Sequence, residues 1–455
     1  MARHTGRRVQ QVRGPTVGLL AGCALWAMLG GTAWAAKPPR PVLILPYQST
    51  DADTWFGEAI AETLFLAAQG TPALLPIDRA RVVQAGRGTG TEGAADTTPL
   101  GLARTVKAEI VFLGDYQRTP SDGITITPRL LDVKTGQIQT LDPVRGPSDK
   151  LIETQATLIQ SYAKALNLGL KGDELDRLVA AAKPTTNLTA LEAFAKGRRS
   201  ALAGTQEGNE GAAELLARAV EVDPTFAVAH YHLGAVHLIL GNRWKAAAQF
   251  RASTQVDPNL AEPFKALGDL FLSSPRRLFD QAIEAYERAI TIRPHYAEAH
   301  VGLGDAKAAK GENEAAIAHY QKALSLDPLN ARVQFALGKI YYSEKGLYYE
   351  AVRAYKKAIE LDQSFLEARM GLGEIYEEKG LYTDAVAEYK KVIEVEPKHT
   401  AANYNLAMAY EKLDPREAIA QWDRYIDIAS TVATEKEWVD VARQHLKKLK
   451  DKYPQ

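Results

Sequence analysis

The alternation of apolar and polar residues divides the chain into two regions. Up to residue 147, short apolar runs such as 42–45 predict buried strands, and they alternate with helical stripes such as Phe56, Ile60 and Leu64. From residue 188 onward, apolar residues recur with helical spacing almost throughout. The pattern predicts an α+β protein, in which a small α/β sheet domain precedes an all-α array.

In the first region, the apolar runs predict five strands joined by helices. The strands are expected at 42–45, 73–77, 110–116, 123–132 and 137–141. Helices are expected at 55–69, after Asp78 and from Thr98, and a long helix is expected over 148–181. This order favours one sheet with helices packed on it.

The second region contains an internal repeat. A Leu-Gly pair, or Leu-Ala in the last unit, recurs every 34 to 36 residues. The small residues of these pairs are Gly234, Gly268, Gly304, Gly338, Gly373 and Ala407. An alanine that begins a second helix follows each of them, and four residues later comes an aromatic residue: Phe250, Tyr286, Tyr320, Tyr355, Tyr389 or Trp422.

This spacing has a physical reason. Glycine on the first helix of a unit lets the second helix approach closely, and the aromatic ring fills the space between neighbouring units. Proline ends the second helix because it cannot continue the hydrogen-bond ladder. With a degenerate unit that begins near residue 188, seven helix pairs are predicted over 188–433, followed by a capping helix at 434–455.

The repeat resembles the tetratricopeptide repeat (TPR), a helix pair of about 34 residues with small residues in the same positions. The resemblance implies a right-handed superhelical solenoid whose concave groove binds protein or peptide segments. It also assigns groove positions in this chain. They are Tyr231, Lys265, Asp269, Val301, Asp305, Arg332, Phe335, Lys339, Tyr342, Met370, Glu374, Glu377 and Tyr404.

Residues 41–170 resemble a second family, the TolB-like amino-terminal domain, named for the periplasmic protein of the Tol translocation system. The resemblance rests on the strand at 42–45 with Pro46, on EAIAETL at 58–64, on AEIVFLGDY at 108–116 and on RLLDVKTG at 129–136. It implies a domain that contacts a second envelope component, and it supplies no catalytic residues.

The first 35 residues have the pattern of an export signal. Arg3, Arg7, Arg8 and Arg13 precede an apolar run over 15–35 that ends in Ala-Trp-Ala. Cleavage near Ala35 would leave a periplasmic or secreted protein that begins with a proline-rich spacer at 36–41. Two alternatives place the protein on a membrane: a lipid on Cys23, which ends the sequence LAGC, or retention of 15–35 as an anchor.

The predicted division of the chain is therefore a signal at 1–35, a spacer at 36–41, a TolB-like domain at 42–147, a connecting helix at 148–187, helix pairs at 188–433 and a cap at 434–455. Composition agrees with a folded protein: of 455 residues, 46% are hydrophobic and 24% charged. Basic and acidic residues number 55 each, which does not favour a nucleic-acid partner. A single cysteine excludes an intrachain disulfide.

Candidate chemistry is sparse. The glycine motif at 88–93 follows no predicted strand, so it does not indicate nucleotide binding. His230, His232 and His237 are close in sequence but suit packing and surface roles better than a metal site. No catalytic motif is recognised, so the sequence predicts no enzyme activity, metal or cofactor. The expected function is that of an exported scaffold, an envelope-anchored assembly factor, or the regulatory subunit of an enzyme complex. The oligomeric state stays open.

Overall fold

The computed structural model describes residues 39–49, 55–87, 98–119, 123–343 and 346–453. The predicted signal, Cys23 and the glycine motif at 88–93 lie outside the described residues. In the described part of the chain, no helix combines the length and the apolar character that crossing a membrane requires.

Six strands form a small mixed sheet. They are β1 (Arg40–Ile44), β2 (Leu74–Pro76), β3 (Ile110–Arg118), β4 (Gly123–Asp132), β5 (Ile138–Thr140) and β6 (Val144–Pro147). The order is β2-β1-β3-β4, with β1 parallel to both neighbours and β4 antiparallel to β3. The free edge of β4 pairs with β5 along one part and with β6 along another.

Two details of the sheet differ from the prediction. Strand β1 starts at Arg40, within the expected spacer, because the Arg40 amide donates to the Ala73 carbonyl oxygen over 3.0 Å. Strand β6 was not predicted at all. Its sequence, VRGP, contains a single buried apolar residue, Val144, so it carries no strand periodicity.

Four helices pack against the sheet, and a fifth packs on two of them. The first four are α1 (Trp55–Gln69), α2 (Arg79–Arg87), α3 (Pro99–Thr105) and α4 (Leu151–Ala165), and α5 (Asp173–Ala181) packs on α1 and α4. Successive residues of β1 face opposite sides. Val42 and Ile44 pack with residues of α1 and α4, whereas Leu43 packs with residues of α2 and α3. A sheet buried on both faces explains why its inner strands are continuously apolar.

The prediction of one continuous helix over 148–181 is wrong, because the segment contains two helices. Helix α4 ends at Ala165 and α5 begins at Asp173. Between them Asn167, Gly169 and Gly172 have φ values of 49°, 68° and 51°. Left-handed backbone at three positions cannot be part of a right-handed helix. Two glycines and an asparagine within six residues are the signal for this break.

Seven helix pairs follow. They are α6 (Leu188–Ala201) with α7 (Gln206–Val222), α8 (Ala227–Ile239) with α9 (Arg243–Val256), α10 (Ala261–Leu272) with α11 (Phe279–Ile292), α12 (Ala297–Ala309) with α13 (Asn313–Leu326), α14 (Ala331–Ser343) with α15 (Tyr348–Leu361), α16 (Leu366–Glu378) with α17 (Tyr382–Val395), and α18 (Thr400–Leu413) with α19 (Pro415–Ala429). A last helix, α20 (Lys436–Lys452), packs on α19. The fold is thus a mostly helical solenoid preceded by a small mixed sheet.

The glycines of the repeat lie against aromatic rings, as the spacing predicts. A Cβ atom added at Gly268 would lie 2.6 Å from Cε1 of Tyr286, and one at Gly302 would lie 2.3 Å from the same atom. Gly268 belongs to α10 and Gly302 to α12, so the Tyr286 ring lies between the first helices of two successive pairs. Tyr355 lies between Gly338 and Gly371 in the same way.

A buried ion network joins the sheet domain to the first helix pairs. Glu62 of α1 is 1% exposed and accepts hydrogen bonds from Arg79 and, over 3.3 Å, from Nε of Arg198 in α6. Arg79 also donates to Glu58 over 2.6 Å. Burial by itself would raise the pKa of Glu62, but Arg198 and Arg79 outweigh it and lower the pKa to about 2.

We expect Glu62→Gln to lower the free energy of unfolding by about 3–5 kcal/mol, because it leaves buried arginines without their carboxylate. The pKa of Glu62 is about 4.3 in an unfolded chain. Since folding depresses it, the stabilisation is complete above that value and is lost as pH falls from about 4.3 towards about 2. Urea unfolding of the wild type and the variant across this pH range measures both effects.

Glu109→Gln is the matched control. The Glu109 side chain is 60% exposed, and its ion pair with Nε of Arg40 is long, at 3.5 Å. We expect it to change stability by less than about 0.5 kcal/mol. If wild type and Glu62→Gln lost stability equally on acidification, the network would not be what ties these elements together.

Candidate protein-binding face

The first helix of each pair is called here the A helix and the second the B helix. Most successive A helices contact each other, for example α10 with α12 and α14 with α16, whereas successive B helices are further apart. The A helices therefore line the inner side of the stack. The A-helix face is the set of side chains on α8, α10, α12, α14, α16 and α18 that are not buried between helices.

Carboxylates on this face are held by tyrosines of the B helices. The hydroxyl of Tyr286 donates to Asp269 over 2.7 Å, and that of Tyr320 donates to Asp305 over 2.6 Å. Burial first, and then the adjacent Asp305, raises the pKa of Tyr320, so the hydroxyl keeps its proton and remains a donor. The tyrosine that packs on a glycine thus also orients an acid on the A-helix face.

Predicted basic positions pair with these acids. Nζ of Lys265 lies 2.7 Å from Asp269, one turn further along α10. Arg332 of α14 reaches back to Asp305 of α12 over 2.6 Å, and so links two successive pairs. Lys265 is therefore paired with an aspartate of its own helix.

Two predicted aromatic positions, Phe335 and Tyr342, are half-buried rather than free. Phe335 lies 5.1 Å from the Phe365 ring, and Nζ of Lys339 lies 5.8 Å from the centre of the Phe335 ring. Tyr342 donates to Glu378 over 3.0 Å. Each of these side chains has one surface exposed to solvent, while the contacts on its other side fix its position.

At the far end of the face, Tyr404 lies in a cluster of aromatic rings. Its centroid is 5.1 Å from Trp422, 5.3 Å from Tyr425 and 5.4 Å from Trp438. Trp438 belongs to α20 and is 54% exposed. The cap helix therefore contributes an open indole to this end of the face.

Three of the thirteen predicted positions are placed differently from the expectation. Val301 is 6% exposed and packs with Tyr320, and Met370 is 8% exposed and packs with Tyr389, so both are core residues. Tyr231 is largely buried beside Phe250, at 6.0 Å between centroids. Each of these side chains packs against an aromatic residue of the B helix of its own pair. Val301 and Met370 are therefore not available to a ligand.

The negative charges of the acids on α16 and α18 are only partly balanced by nearby donors. Burial, followed by the neighbouring Glu377, raises the pKa of Glu374. Burial also raises the pKa of Glu377, which accepts from the Tyr389 hydroxyl over 3.0 Å. Two further acids were not predicted as sites. Glu378 accepts from Tyr342, and Glu411 accepts from Nε1 of Trp422 over 2.8 Å. An acid one turn after the small residue of the repeat would have indicated Glu411.

The histidines do not form a metal site. Nδ1 of His230 pairs with Gln249 over 2.7 Å, and its Nε2 lies 3.1 Å from the Pro224 carbonyl oxygen. Burial and then Arg198 lower the pKa of His232, which is therefore neutral and packs near the Glu62 network. His232, rather than His237, is the enclosed one. In the described ranges, no three potential ligands converge as a metal would require.

A family model for the TPR repeat matches four overlapping segments: 279–311, 304–344, 342–380 and 373–414. Residues 279–414 are tetratricopeptide repeats. The matched TPR units include the acids and tyrosines at Asp305, Tyr320, Glu377 and Tyr389. Before residue 279, α8 and α9 make the same glycine–aromatic contact through Gly234 and Phe250, whereas in the first pair Gly197 of α6 lies against Leu216 of α7.

Two curated proteins are similar to parts of this chain. The small glutamine-rich tetratricopeptide repeat-containing protein 2 of Mycosarcoma maydis is 33% identical over 112 residues, which are 25% of this chain and 31% of that protein. The protein O-mannosyl-transferase TMTC1 of Mus musculus is 28% identical over 141 residues, which are 30% of this chain and 15% of that protein. This chain thus spans less than a third of the length of either relative.

Solved structures are also similar to parts of this chain. MamA is 31% identical, with a TM-score of 0.34, over 36% of this chain and 95% of its own. YrrB, described as a TPR protein with an unusual peptide-binding site, is 24% identical, with a TM-score of 0.37, over 45% of this chain and 100% of its own. Because both TM-scores are below 0.5, neither structure indicates what this chain binds.

We expect Tyr320→Phe to lower the free energy of unfolding by about 1 kcal/mol, because it removes a hydrogen bond to a carboxylate that is half-buried. Thermal and urea unfolding measure the change. Tyr355→Phe is the matched control: Tyr355 occupies the same repeat position, yet no hydrogen bond from its hydroxyl to a carboxylate is found in the described residues. We expect its effect to be below about 0.5 kcal/mol. Equal losses in the two variants would contradict a specific role of the carboxylate.

Proposed function

We propose that the protein is an exported, non-catalytic scaffold that binds an extended or helical segment of another protein on the A-helix face. The observation that carries the proposal is the row of carboxylates, cations and half-open aromatic rings held in place by the B helices. Side chains fixed before binding lose little conformational entropy when a partner docks. Aromatic and arginine side chains are also the residues that contribute most at protein interfaces.

Separate observations support the proposal that the protein is non-catalytic. TPR solenoids are generally non-catalytic scaffolds, and the acids on the A-helix face are bonded to tyrosines or lysines rather than to a nucleophile. The similarity to an O-mannosyl-transferase covers 15% of that enzyme. A regulatory subunit of an enzyme complex is therefore a secondary possibility.

We propose that the sheet domain binds a second partner. Its resemblance to TolB-like domains supports contact with another envelope component, and the export signal at 1–35 supports a periplasmic or secreted location. A right-handed superhelix, usual for TPR arrays, would present the A helices as a concave groove. No nucleic-acid partner is proposed, because the charges of the whole chain balance.

A pull-down tests the role of the face. Wild type and Lys339→Glu with Phe335→Ala are used as bait on the periplasmic fraction, and partners are quantified by mass spectrometry. We expect the double variant to recover at least about tenfold less partner than wild type, since it reverses a charge and removes a half-open ring. Lys339→Glu alone is tested as well, because a substitution at this exposed position is not expected to disturb folding.

The matched control is Lys357→Glu with Tyr349→Ala, the same types of change on the B helix α15, where the Tyr349 residue is 77% exposed. We expect this control to keep its partners. Equal partner recovery with wild type and the face variant would overturn the assignment of the A-helix face.

The alternative function is an envelope-anchored assembly factor, attached through residues 15–35 or through a lipid on Cys23. The sequence LAGC at 20–23 and the apolar run favour it. Mass spectrometry of the mature amino terminus distinguishes the two. We expect a start at Ala36; an acylated Cys23 or an intact amino terminus would replace the soluble scaffold by the anchored one.

A further inference from the structure

A cleft of about 800 Å³ lies where the sheet domain meets the helix pairs. Its walls are the turn after α1 (residues 69–72), helix α5, the turn between α9 and α10 (256–262) and the turn between α11 and α12 (292–295). The volume is within the range of small-molecule pockets, roughly 300–1,000 Å³, and domain junctions are frequent locations for them. The cleft is separate from the A-helix face.

One side of the cleft is apolar. Leu66 of α1, Leu170 before α5, and Val256, Leu260 and Ile292 from the helix pairs contribute aliphatic side chains to the lining. Val256 is 39% exposed. An apolar chain in the cleft would remove this surface from water, which favours binding.

The deeper side is polar, and its donors are incompletely satisfied. The Arg293 side chain is 11% exposed and stacks over Tyr296, with Cζ 3.8 Å from the ring centre. Its Nη1 donates weakly to the Gln69 carbonyl oxygen over 3.4 Å. Glu262 lies 2.9 Å from Nη2, yet Nη2 and Nε make no well-directed hydrogen bond in the described residues.

Buried donors without acceptors cost free energy, so this end of the cleft favours a ligand that brings acceptor oxygens. The charged groups around the cleft agree with that. Four cations line it against three carboxylates, and setting aside the pair of Arg293 with Glu262 leaves three cations against two carboxylates. The cations are Arg177, Lys183, Arg293 and Lys322, and the carboxylates are Glu174, Asp257 and Glu262. A carboxylate fits this balance better than an ammonium group does.

We propose that the cleft binds an amphipathic carboxylate, with the carboxylate at Arg293 and the apolar part along Leu66, Val256 and Ile292. A ligand of this kind touches the sheet domain, α5 and three helix pairs at once, so its binding stabilises their junction. Two sources share the chemistry: a free fatty acid, or the carboxy terminus of a polypeptide with apolar last residues.

Isothermal titration calorimetry of the purified full chain with decanoate tests the proposal. We expect decanoate to bind at least tenfold more tightly than decan-1-ol or decyltrimethylammonium, and to raise the unfolding temperature. Equal affinity for the alcohol, or no binding of either decanoate or the peptide below, would overturn it.

Variants connect binding to the cleft. Arg293→Met with Glu262→Gln removes the guanidinium without leaving a charged partner buried, and we expect at least a tenfold loss of affinity. Ala180→Trp fills the cleft from an exposed position of α5 and should abolish binding, whereas Ala318→Trp, equally exposed on α13 outside the cleft, should not. Unchanged binding in Ala180→Trp would place the ligand elsewhere and overturn the proposal.

The source is distinguished with a heptapeptide that ends in Leu-Leu, as the free acid and as the amide. Binding of the free acid alone, in competition with decanoate, identifies a polypeptide carboxy terminus. Binding of decanoate without either peptide identifies a free fatty acid. Equal binding of acid and amide would contradict recognition of the carboxylate.

Discussion

The contact between a glycine and an aromatic ring is the constraint on which the repeats depend. In five pairs, an added Cβ atom on the A helix would lie 2.5–2.6 Å from a ring carbon of the B helix. The pairs of residues are Gly234 with Phe250, Gly268 with Tyr286, Gly304 with Tyr320, Gly338 with Tyr355 and Gly373 with Tyr389. No side chain larger than hydrogen fits there without displacing the ring, so the helix separation is set by one residue in each unit.

The same contact determines the chemistry of the A-helix face. A tyrosine ring that lies on glycine sends its hydroxyl past the A helix towards the face, where Asp269, Asp305 or Glu377 accepts it. Phe250 lacks the hydroxyl, and Trp422 instead donates its Nε1 to Glu411. Packing and the orientation of charged groups are thus coupled in four of the six units, where Tyr286, Tyr320, Tyr389 or Trp422 also holds an acid of the A-helix face in place.

Much of this could be predicted because the determinants are local in sequence. Both members of the glycine–aromatic contact lie within one unit, so their spacing reveals the helix pairs. Val301 and Met370 were assigned to the groove because position within a unit does not tell how far the next A helix covers a side chain. The bond between Glu62 and Arg198 joins residues 136 positions apart. Nothing in the local pattern indicates such a pair, and the same holds for the cleft that ends at Arg293.

The packing of α1 on α6 has a consequence for the end of the array. A stack of helix pairs has two ends, and each would expose the apolar side of its last member. At the carboxyl end, α20 covers α19 with one side and presents lysines to solvent. At the amino end no extra helix of that kind is found in the described residues; α1 lies on α6, and residues of both belong to one hydrophobic core. The sheet domain therefore covers the first end of the solenoid, and because the two parts share one core we expect them to unfold together.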